Sequence, residues 1–251
     1  MMVDTQAYLS RIGFEGEPTL DVATLEALQR AHLTAVPFEN LHVANGIGVR
    51  TDLEWSVPKI VDQGRGGWCF EANGAFAALL EDLGFDVSRL RAAVLQAGPN
   101  QVNDHLTIEV RLDEAYLVDV GFGDSFIRPL RLNDGGPQDG GSGTFEFLPS
   151  SQGTTLTEHD EAGVPSALYR FKRVDRGLAD FDDPSERLQT DPELHWSQKP
   201  FATRLLRGGP DRVTLLSDRL KVRRGGRLTE TPVAEADWES TLEHWFGMRL
   251  P

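Results

Sequence analysis

The spacing of apolar positions changes once along the chain, from a helical period to an alternating one. Up to about residue 85, apolar residues recur at intervals of three and four, as on one face of a helix. From residue 86 they alternate with polar residues or form short runs bounded by glycine and proline, as strands do. The pattern therefore predicts an α+β protein in which helices come first and sheet follows.

The first part of the chain contains four helix patterns. They cover Asp4 to Arg11, Thr19 or Asp21 to Val36, Ser56 to Asp62, and Cys69 to Leu83. Pro37 stops the second helix, and Gly84 is placed to end the fourth. His32 shares a helix face with Leu25 and Leu28, so we expect a packed core histidine rather than a ligand.

The alternating part begins with a hairpin. Apolar and polar residues alternate from Leu106 to Leu112, a turn is predicted at Asp113 and Glu114, and a return strand runs from Tyr116 to Val120. Further strands are predicted at residues 87–95, 144–148, 167–174, 212–216, 219–223 and 227–233. The last two are joined by a tight turn at Gly225 and Gly226.

The remaining segments are a loop and two helical stretches. The polar, glycine-rich residues 131–143 are predicted to form a loop. Asp180 to Pro184 begins a linker or an acidic helix with a solvated face. The final helix has one apolar packing face, formed by Trp238, Leu242, Trp245 and Phe246.

Composition and charge exclude several classes of function. The 251 residues carry 39 acidic and 25 basic side chains and a net charge of −14, which argues against a surface that coats nucleic acid. No apolar run approaches the ~18 residues of a membrane span, and the N-terminus lacks a signal-peptide pattern. Cys69 is the single cysteine, which excludes an internal disulfide and a cysteine-based zinc site. We expect a cytoplasmic protein without a metal or a bound cofactor.

Cys69 stands at the predicted start of a helix, directly after Arg65-Gly66-Gly67-Trp68. The positive end of the helix macrodipole favours a thiolate there, and the two glycines leave room for a close backbone approach. Trp68 is placed to wall such a site. A lone cysteine is more often a small buried hydrophobe, so its position alone leaves an inert and a reactive thiol both open.

His105 and Asp119 lie on the two strands of the predicted hairpin. A turn at residues 113–114 places position 105 opposite position 121 or 122, so Asp119 is a cross-strand neighbour of His105. A cysteine, a histidine and a carboxylate are the set that a thiol nucleophile needs. A structural hydrogen bond between His105 and Asp119 at the sheet edge is the alternative.

These segments resemble the arylamine N-acetyltransferase family. The likeness is carried by RGGWCFEANGAFAALLEDLGF around Cys69, by NDHLTIEV at His105 and by YLVDVGFG at Asp119. The upstream stretches YLSRIGF and AHLTAVPFENL also match, so the resemblance covers roughly residues 8 to 125. The order of the cysteine, the histidine and the aspartate is the family's as well.

The resemblance implies a fold in three parts. Residues 1–85 would form a helical bundle that carries the nucleophile, residues 86–190 a central β-barrel that carries the histidine and the aspartate, and residues 191–251 an α/β lid. It also implies that the cysteine segment and the hairpin form a core shared with transglutaminases and papain-like cysteine proteases. A monomer or a homodimer is expected.

The resemblance further implies ping-pong chemistry with acetyl-coenzyme A as cosubstrate. Cys69 would take the acetyl group and pass it to an arylamine or a hydrazine, with His105 as the base and Asp119 holding the ring. An amide synthase that closes a macrolactam from a carrier-bound acyl donor and a thiol hydrolase are alternative enzymes. A binding module with an inert Cys69 is the alternative without catalysis.

Other positions carry over from the family individually. Phe38, Phe122 and Phe201 match residues that line the acceptor pocket, where phenyl rings suit a flat aromatic substrate. Gly121 and Gly123 match positions where the pantetheine arm of coenzyme A passes close to the backbone.

Three more features concern charge. Glu39 and Arg65 match a family pair that braces the cysteine loop. Asp104 stands where the family has a small polar residue or glycine, and its carboxylate is expected to raise the pKa of His105 and to alter the contacts with coenzyme A. A basic cluster on the last hairpin is either solvated or a contact for phosphates; it comprises Lys221, Arg223, Arg224 and Arg227.

Overall fold

The structure is a computed structural model, and it describes residues 3–95, 104–191 and 199–251. The helices of the described residues are α1 (Thr5–Ile12), α2 (Val22–Ala35), α3 (Leu41–Ala44), α4 (Leu53–Val61), α5 (Cys69–Asp82), α6 (Asp182–Thr190) and α7 (Glu235–Phe246). A 3-10 turn at Leu178–Phe181 leads into α6.

The strands make two antiparallel sheets. Up to residue 150, the strands are β1 (Phe38–Glu39), β2 (Asp86–Val94), β3 (His105–Arg111), β4 (Ala115–Val118), β5 (Leu130–Arg131), β6 (Gln138–Asp139) and β7 (Thr144–Ser150). The rest are β8 (Gly153–His159), β9 (Pro165–Asp175), β10 (Ala202–Leu205), β11 (Arg212–Leu215), β12 (Arg219–Arg224) and β13 (Arg227–Pro232).

Helix α5 is the centre of the helical part. Every residue from Cys69 to Leu80 is buried, so the helix is enclosed on all sides rather than along one stripe. It packs against α1 and α4 and against strands β2 and β3. Gly84 follows its end with φ +95° and donates its N–H to Glu81, which confirms the predicted stop.

The helix α4 begins earlier than the sequence predicts. Ser56 was expected as its N-cap, but Asp52 takes that position and its Oδ1 accepts the N–H of Trp55 at 3.0 Å. Pro58 therefore lies in the second turn of the helix rather than in the first, where proline is favoured.

His32 is the packed core residue that the helical pattern predicts. It is fully buried, and its ring lies between the rings of Tyr8 and Phe76, with centroids at 5.9 and 5.0 Å. The hydroxyl of Tyr8 is 3.3 Å from its Nδ1.

Eight strands form a nearly closed, barrel-like sheet in the order β5-β4-β3-β2-β9-β8-β7-β6. The two edge strands come together through Gln138, whose side-chain amide bonds both the N–H and the carbonyl of Arg131. The predicted loop at 131–143 therefore contains β6 and the end of β5, because two short strands close the sheet there. Strand β8 was not predicted.

The β3–β4 hairpin has the predicted register. Ile108 faces Val118 and Arg111 faces Ala115, which extends to position 105 opposite position 121. The hairpin thus brings the start of β3 beside the residues that follow β4.

The second sheet has the order β1-β10-β11-β12-β13. Strand β1 comes from the helical part and pairs with β10, with Phe38 opposite Thr203. Gly225 and Gly226, both with positive φ, form the predicted two-residue turn between β12 and β13. Helix α7 packs on this sheet through Trp238, Leu242 and Phe246, as its apolar face predicts.

Helix α6 differs in part from the predicted solvated acidic helix. Its acidic residues Asp182 and Asp183 are exposed, but Leu188 is buried and so is Phe181 just before it. The apolar face docks the helix on the helical part, where Gln189 bonds the backbone of Val49. Across the three described ranges, no helix has both the length and the apolar character needed to cross a membrane.

Candidate active site

Cys69 is the first residue of α5, and Trp68 precedes it as the N-cap. The N–H of Trp68 donates to Oε2 of Glu71 at 3.2 Å, so the third helical residue caps the helix from inside. The Cys69 side chain is buried and lies at the positive end of the helix macrodipole.

A cluster of four buried charges holds the segment before Cys69. Arg65 Nη2 lies 3.1 Å from Oε1 of Glu39, and Lys59 Nζ lies 2.8 Å from Oε1 of Glu71 and 3.7 Å from Glu39. Two cations and two carboxylates make the cluster neutral. Each charge has an opposite partner, which burial requires.

The surroundings of the two carboxylates shift their pKa values in opposite directions. Burial acts to raise the pKa of Glu39, but the charges of Lys59 and Arg65 outweigh it and lower that pKa. Burial raises the pKa of Glu71, against the opposing charge of Lys59. Of the two carboxylates, Glu39 is therefore the more readily ionised, and it is the partner of Arg65.

His105 and Asp119 are in direct contact. His105 Nε2 lies 2.7 Å from Oδ2 of Asp119, and both side chains are almost fully buried. Because Nε2 is engaged by the carboxylate, Nδ1 is the ring atom that remains for the thiol. The Cys69 Sγ lies 3.8 Å from the carbonyl oxygen of Asp104, the residue before His105. The nearby sulfur helps to stabilise the protonated form of the His105 ring.

The protonated form of His105 is strongly favoured. Burial opposes the charged ring, but the Asp119 carboxylate first and the Cys69 sulfur second outweigh it and raise the pKa of His105 to about 10. The ring charge and its hydrogen bond in turn lower the pKa of Asp119 against the effect of burial. The pair is therefore an imidazolium and a carboxylate at neutral pH.

Asp119 is fixed by a full set of hydrogen bonds. Its Oδ1 accepts from Asn73 Nδ2 and from the N–H of Gly121, both at 2.9 Å. Its Oδ2 accepts from His105 and from the hydroxyl of Tyr169 at 3.0 Å. Burial, and then the Asp119 charge, raise the pKa of Tyr169 well above its usual value, so this hydroxyl stays a donor.

Asn73 joins the cysteine helix to the hairpin. It lies one turn after Cys69 on the same face of α5. Its Nδ2 also donates to the carbonyl of Leu106 at 2.6 Å, and its Oδ1 accepts the N–H of Val120 at 2.9 Å. One side chain thereby sets the distance between the thiol and the histidine–aspartate pair.

Gly121 allows the helix and the hairpin to approach each other. A Cβ atom at this position would lie 2.7 Å from Cα of Cys69 and 2.8 Å from Nδ2 of Asn73, closer than real contacts allow. The close approach alone accounts for glycine here. Gly123, with φ +94°, lies against the ring of Phe38.

Cys69 and His105 open into a cavity of about 210 Å³. Its wall is formed by Phe38, Trp68, Cys69, Val94, Asp104, His105, Gly121, Phe122, Asp124 and Leu188. The ring of Phe122 lies 5.2 Å from that of His105, in an edge-to-face arrangement. The cavity therefore combines a thiol, an imidazole and aromatic walls.

Phe201 lies next to this cavity rather than in its wall. Its ring packs against Phe38 with centroids 5.5 Å apart, and its N–H donates to the side chain of Asn40. The role of Phe201 in an acceptor pocket, which the family resemblance implies, stays a prediction. Ser197 and Gln198, which precede Phe201 closely in the chain, lie outside the described residues, and so does His195.

Two carboxylates stand at the cavity wall. Asp104 accepts the N–H of Val94 at 2.9 Å, and burial raises the pKa of this carboxyl. Asp124 is held between Arg212 and Arg223, with its Oδ1 at 3.1 and 2.7 Å from their guanidinium nitrogens. Asp124 is thus neutralised by protein cations.

The predicted basic cluster is largely occupied by protein partners. Arg223 is paired with Asp124, Lys221 lies 3.0 Å from Glu230, and the guanidinium of Arg224 lies 5.9 Å from the ring centroid of Trp245. These contacts favour the solvated hairpin over a phosphate contact.

Several residues of the site were missed by the sequence reasoning. Glu71 stands at the third position of the helix, where a capping acid is expected, and Asn73 stands one turn from Cys69, so both had a signal in the sequence. Lys59 and Leu188 had none, because each reaches the site from another segment, whereas Asp124 directly follows Gly123 in the chain. Within the described ranges, His, Cys, Asp and Glu side chains never group in threes as a metal site requires.

Known proteins share this fold and sequence. Residues 21–251 match the N-acetyltransferase family model, so the likeness continues well beyond residue 125. The chain is similar to the arylamine N-acetyltransferase of Mycolicibacterium smegmatis, at 36% identity over 206 residues that cover 78% of this chain and 74% of that protein. It is also similar to the pineal gland isozyme NAT-3 of Gallus gallus arylamine N-acetyltransferase, at 32% identity, with 99% and 95% of the two chains covered.

A solved structure gives the same result for the fold. The Mycobacterium marinum arylamine N-acetyltransferase in complex with CoA matches with a TM-score of 0.89 at 30% identity. The match covers 97% of this chain and 92% of that one.

Proposed function

We propose that this chain, which belongs to the arylamine N-acetyltransferase family, moves an acetyl group from acetyl-coenzyme A to an aromatic amine or hydrazine through an acyl-cysteine on Cys69. The observation that carries the proposal is that Cys69 and His105 line one cavity and that Asp119 is bonded to His105. Cys69 begins a helix there, and His105, bonded through Nε2 to Asp119, lies beside it. This is the arrangement of an activated thiol nucleophile.

In the first half-reaction, the Cys69 thiolate attacks the carbonyl carbon of the thioester. The carbon–sulfur bond to coenzyme A breaks, and the leaving thiolate takes the proton that the His105 imidazolium holds. The products are free coenzyme A, an acetyl-cysteine and a neutral imidazole. The raised pKa of His105 keeps its ring protonated at neutral pH before this step, so the proton for the leaving thiolate is in place.

In the second half-reaction, the nitrogen of a neutral amine attacks the acetyl-cysteine. His105 takes a proton from the nitrogen, the carbon–sulfur bond breaks, and the thiolate–imidazolium pair is restored with the amide as product. Asp119 keeps the ring oriented and stabilises its charge in both steps. Its four hydrogen bonds make that orientation rigid.

The cavity supports an aromatic acceptor. Phe38 and Phe122 stand in its wall with Trp68, and flat apolar rings suit an aromatic amine. The buried wall also limits water at the acyl-cysteine, which favours transfer over hydrolysis. The relative from Mycobacterium marinum is in complex with CoA, which supports the same cosubstrate here.

We propose two further points of architecture and setting. The sheet β1-β10-β11-β12-β13 with α7 acts as a lid, since Phe201 at its edge supports the cavity residue Phe38. Helix α5 and the β3–β4 hairpin form the core shared with transglutaminases and papain-like cysteine proteases. A single free thiol as nucleophile fits the reducing cytoplasm.

The test is the release of free coenzyme A from acetyl-coenzyme A, with and without 4-methoxyaniline, by the wild type and by Cys69→Ala. Release that needs the amine and is abolished in the variant supports acetyl transfer through Cys69. Release without the amine indicates a hydrolase. No release, with a thiol that still alkylates rapidly, indicates a carrier-bound acyl donor and the amide synthase alternative.

A further inference from the structure

A second cavity, of about 310 Å³, lies on the barrel-like sheet where β2 and β9 pair. Its wall is formed by Arg91, Ala93, Gln152, Arg170, Phe171, Lys172, Val174 and Arg176. Four of these eight residues are cations, and the wall holds no carboxylate. The chain as a whole has 39 acidic and 25 basic side chains, so this local excess of positive charge runs against its composition.

The cations converge because of a break in strand pairing. Leu90 faces Asp175 and Ala92 faces Phe171, so residues 172–174 of β9 lie opposite the single residue Arg91 of β2. Such a bulge bends the strand and redirects its side chains. It gives the sheet a concave surface at this point, and Lys172 stands in it together with Arg91.

Three of the cations have no acidic partner within the described ranges of the chain. No carboxylate lies within 4.0 Å of the charged atoms of Arg91, Lys172 or Arg176 there. The Nε of Arg91 is buried and finds no hydrogen-bond acceptor among these residues. Cations that lie near one another repel, and an anion bound among them would offset that repulsion.

Neighbouring cations on the same sheet show the contrast. Arg173, which alternates with Lys172 along β9, makes two hydrogen bonds to Glu109 at 2.8 and 2.9 Å. Arg89 makes two to Glu81 at 2.8 and 2.7 Å. Carboxylates of the described residues thus pair with Arg173 and Arg89 outside the cavity but not with Arg91, Lys172 or Arg176 in its wall.

We propose that this cavity binds a small ligand that carries two or more phosphate groups. The guanidinium fork matches phosphate oxygens, and Lys172 adds a point charge. The volume suits a small ligand, and the net charge of −14 disfavours a long polyanion such as nucleic acid.

Two sources of such phosphates exist. Ala93 lines this cavity and the next residue, Val94, lines the catalytic one, so the two cavities lie on opposite faces of β2. One source is the nucleotide end of coenzyme A, because its thioester reacts in the catalytic cavity on the other face of the same strand. The other source is an independent phosphate ligand. The chemistry of recognition is the same for both.

The test is the binding of inorganic pyrophosphate to the whole chain at low ionic strength. Binding is measured by isothermal titration calorimetry, in the absence of turnover. We expect wild type to bind and Lys172→Glu/Arg176→Glu to bind at least roughly tenfold more weakly, since charge reversal repels the ligand. Both residues are exposed, and an unchanged Tm shows that the double variant is folded. The control Arg50→Glu/Arg207→Glu makes the same change of net charge at exposed sites outside the cavity and should bind as wild type.

Competition then identifies the source of the phosphates. Displacement of pyrophosphate by coenzyme A assigns the cavity to the cosubstrate, and simultaneous binding assigns it to a separate ligand; both outcomes support a phosphate site. No binding by the wild type overturns the proposal, and so does an equal loss in both double variants. Because binding is measured without acetyl transfer, neither result depends on the catalytic role of Cys69.

Discussion

His105 Nε2 lies 2.7 Å from Oδ2 of Asp119, in a buried pair whose carboxylate accepts three further hydrogen bonds. The contact fixes which ring nitrogen faces the thiol and gives the imidazolium its counter-charge. We therefore expect the reactivity of Cys69 to depend on Asp119, although this carboxylate acts through His105 and not on the reacting carbon.

Replacing Asp119 by Asn should slow alkylation of Cys69 at neutral pH. Without the carboxylate, burial dominates and lowers the pKa of His105 from about 10, so the imidazolium that holds the thiolate is lost. We expect iodoacetamide to react at least roughly tenfold more slowly near pH 7.

Asp124→Asn is the matched control for this experiment. Asp124 also stands at the cavity wall but pairs with Arg212 and Arg223 rather than with His105. Its alkylation profile should follow wild type. An unchanged profile in Asp119→Asn would show that the carboxylate does not control the thiol.

Lys59→Met should be strongly destabilising. It removes the cation that lies 2.8 Å from Glu71 and 3.7 Å from Glu39, and it leaves two buried carboxylates with one cation. The expected loss in the free energy of unfolding is ~3–5 kcal/mol, measured by urea denaturation. Adding Glu71→Gln should recover part of it, because the surplus charge is then removed.

An exposed ion pair gives the comparison. Arg50 and Asp52 lie 2.6 Å apart but are 62% and 40% exposed. Arg50→Met should therefore cost less than ~1 kcal/mol. Equal losses for Lys59→Met and Arg50→Met would contradict the role given to the buried cluster.

His32 should make the fold sensitive to acid. Burial, and then the charge of Arg11, lower the pKa of His32 to about 3, so the folded protein keeps the ring neutral. The unfolded chain takes up a proton below pH ~6.5, so stability is lost as the pH falls from there toward 3. This ring should contribute a loss of ~2 kcal/mol between pH ~7.5 and pH ~5.

The measurement is urea unfolding at the two pH values for the wild type, His32→Asn and His244→Asn. Asn keeps a polar atom near the hydroxyl of Tyr8 but does not titrate in this range. The pH-dependent loss should shrink in His32→Asn and stay at the wild-type value in His244→Asn, where the histidine is exposed. Equal losses in all three proteins would refute the assignment.

The charge of the cavity wall should select among acceptors. Asp124 is neutralised by two arginines, whereas Asp104 has no cation within 4.0 Å in the described part of the chain. An acceptor with a carboxylate is therefore repelled. We expect kcat/KM for 4-aminobenzoate to be roughly tenfold below that for 4-aminobenzamide, a neutral molecule of the same shape.

Asp104→Asn should bring the two kcat/KM values closer together, because it raises kcat/KM for 4-aminobenzoate alone. The neutral amide is the internal control, because its rate reports any general damage to the site. A difference that persists in the variant would show that Asp104 does not determine acceptor charge.

The sequence was most informative where local chemistry and close register decide the structure. The start of α5 at Cys69, its end at Gly84 and the β3–β4 register all follow from patterns within a few residues. The proximity of His105 and Asp119 follows from that register as well. The role of each in catalysis remains a prediction until the site is tested.

The parts that the sequence did not show depend on distant segments. Lys59 comes from another helix, Leu188 reaches the cavity from α6, and Arg91 meets Lys172 only because β2 pairs with β9 across a bulge. Strand β1 is two residues long and is paired by β10, far along the chain. The spacing of apolar residues within one segment does not predict which distant segment pairs with it.

The most direct test of the account is the mass of the intact protein after mixing with acetyl-coenzyme A in the absence of amine. We expect one added acetyl group, located on Cys69 by peptide mapping, that is absent in Cys69→Ala and is discharged when 4-methoxyaniline is added. An acetyl group on another residue, or amide formation without any acetylated protein, would contradict transfer through Cys69.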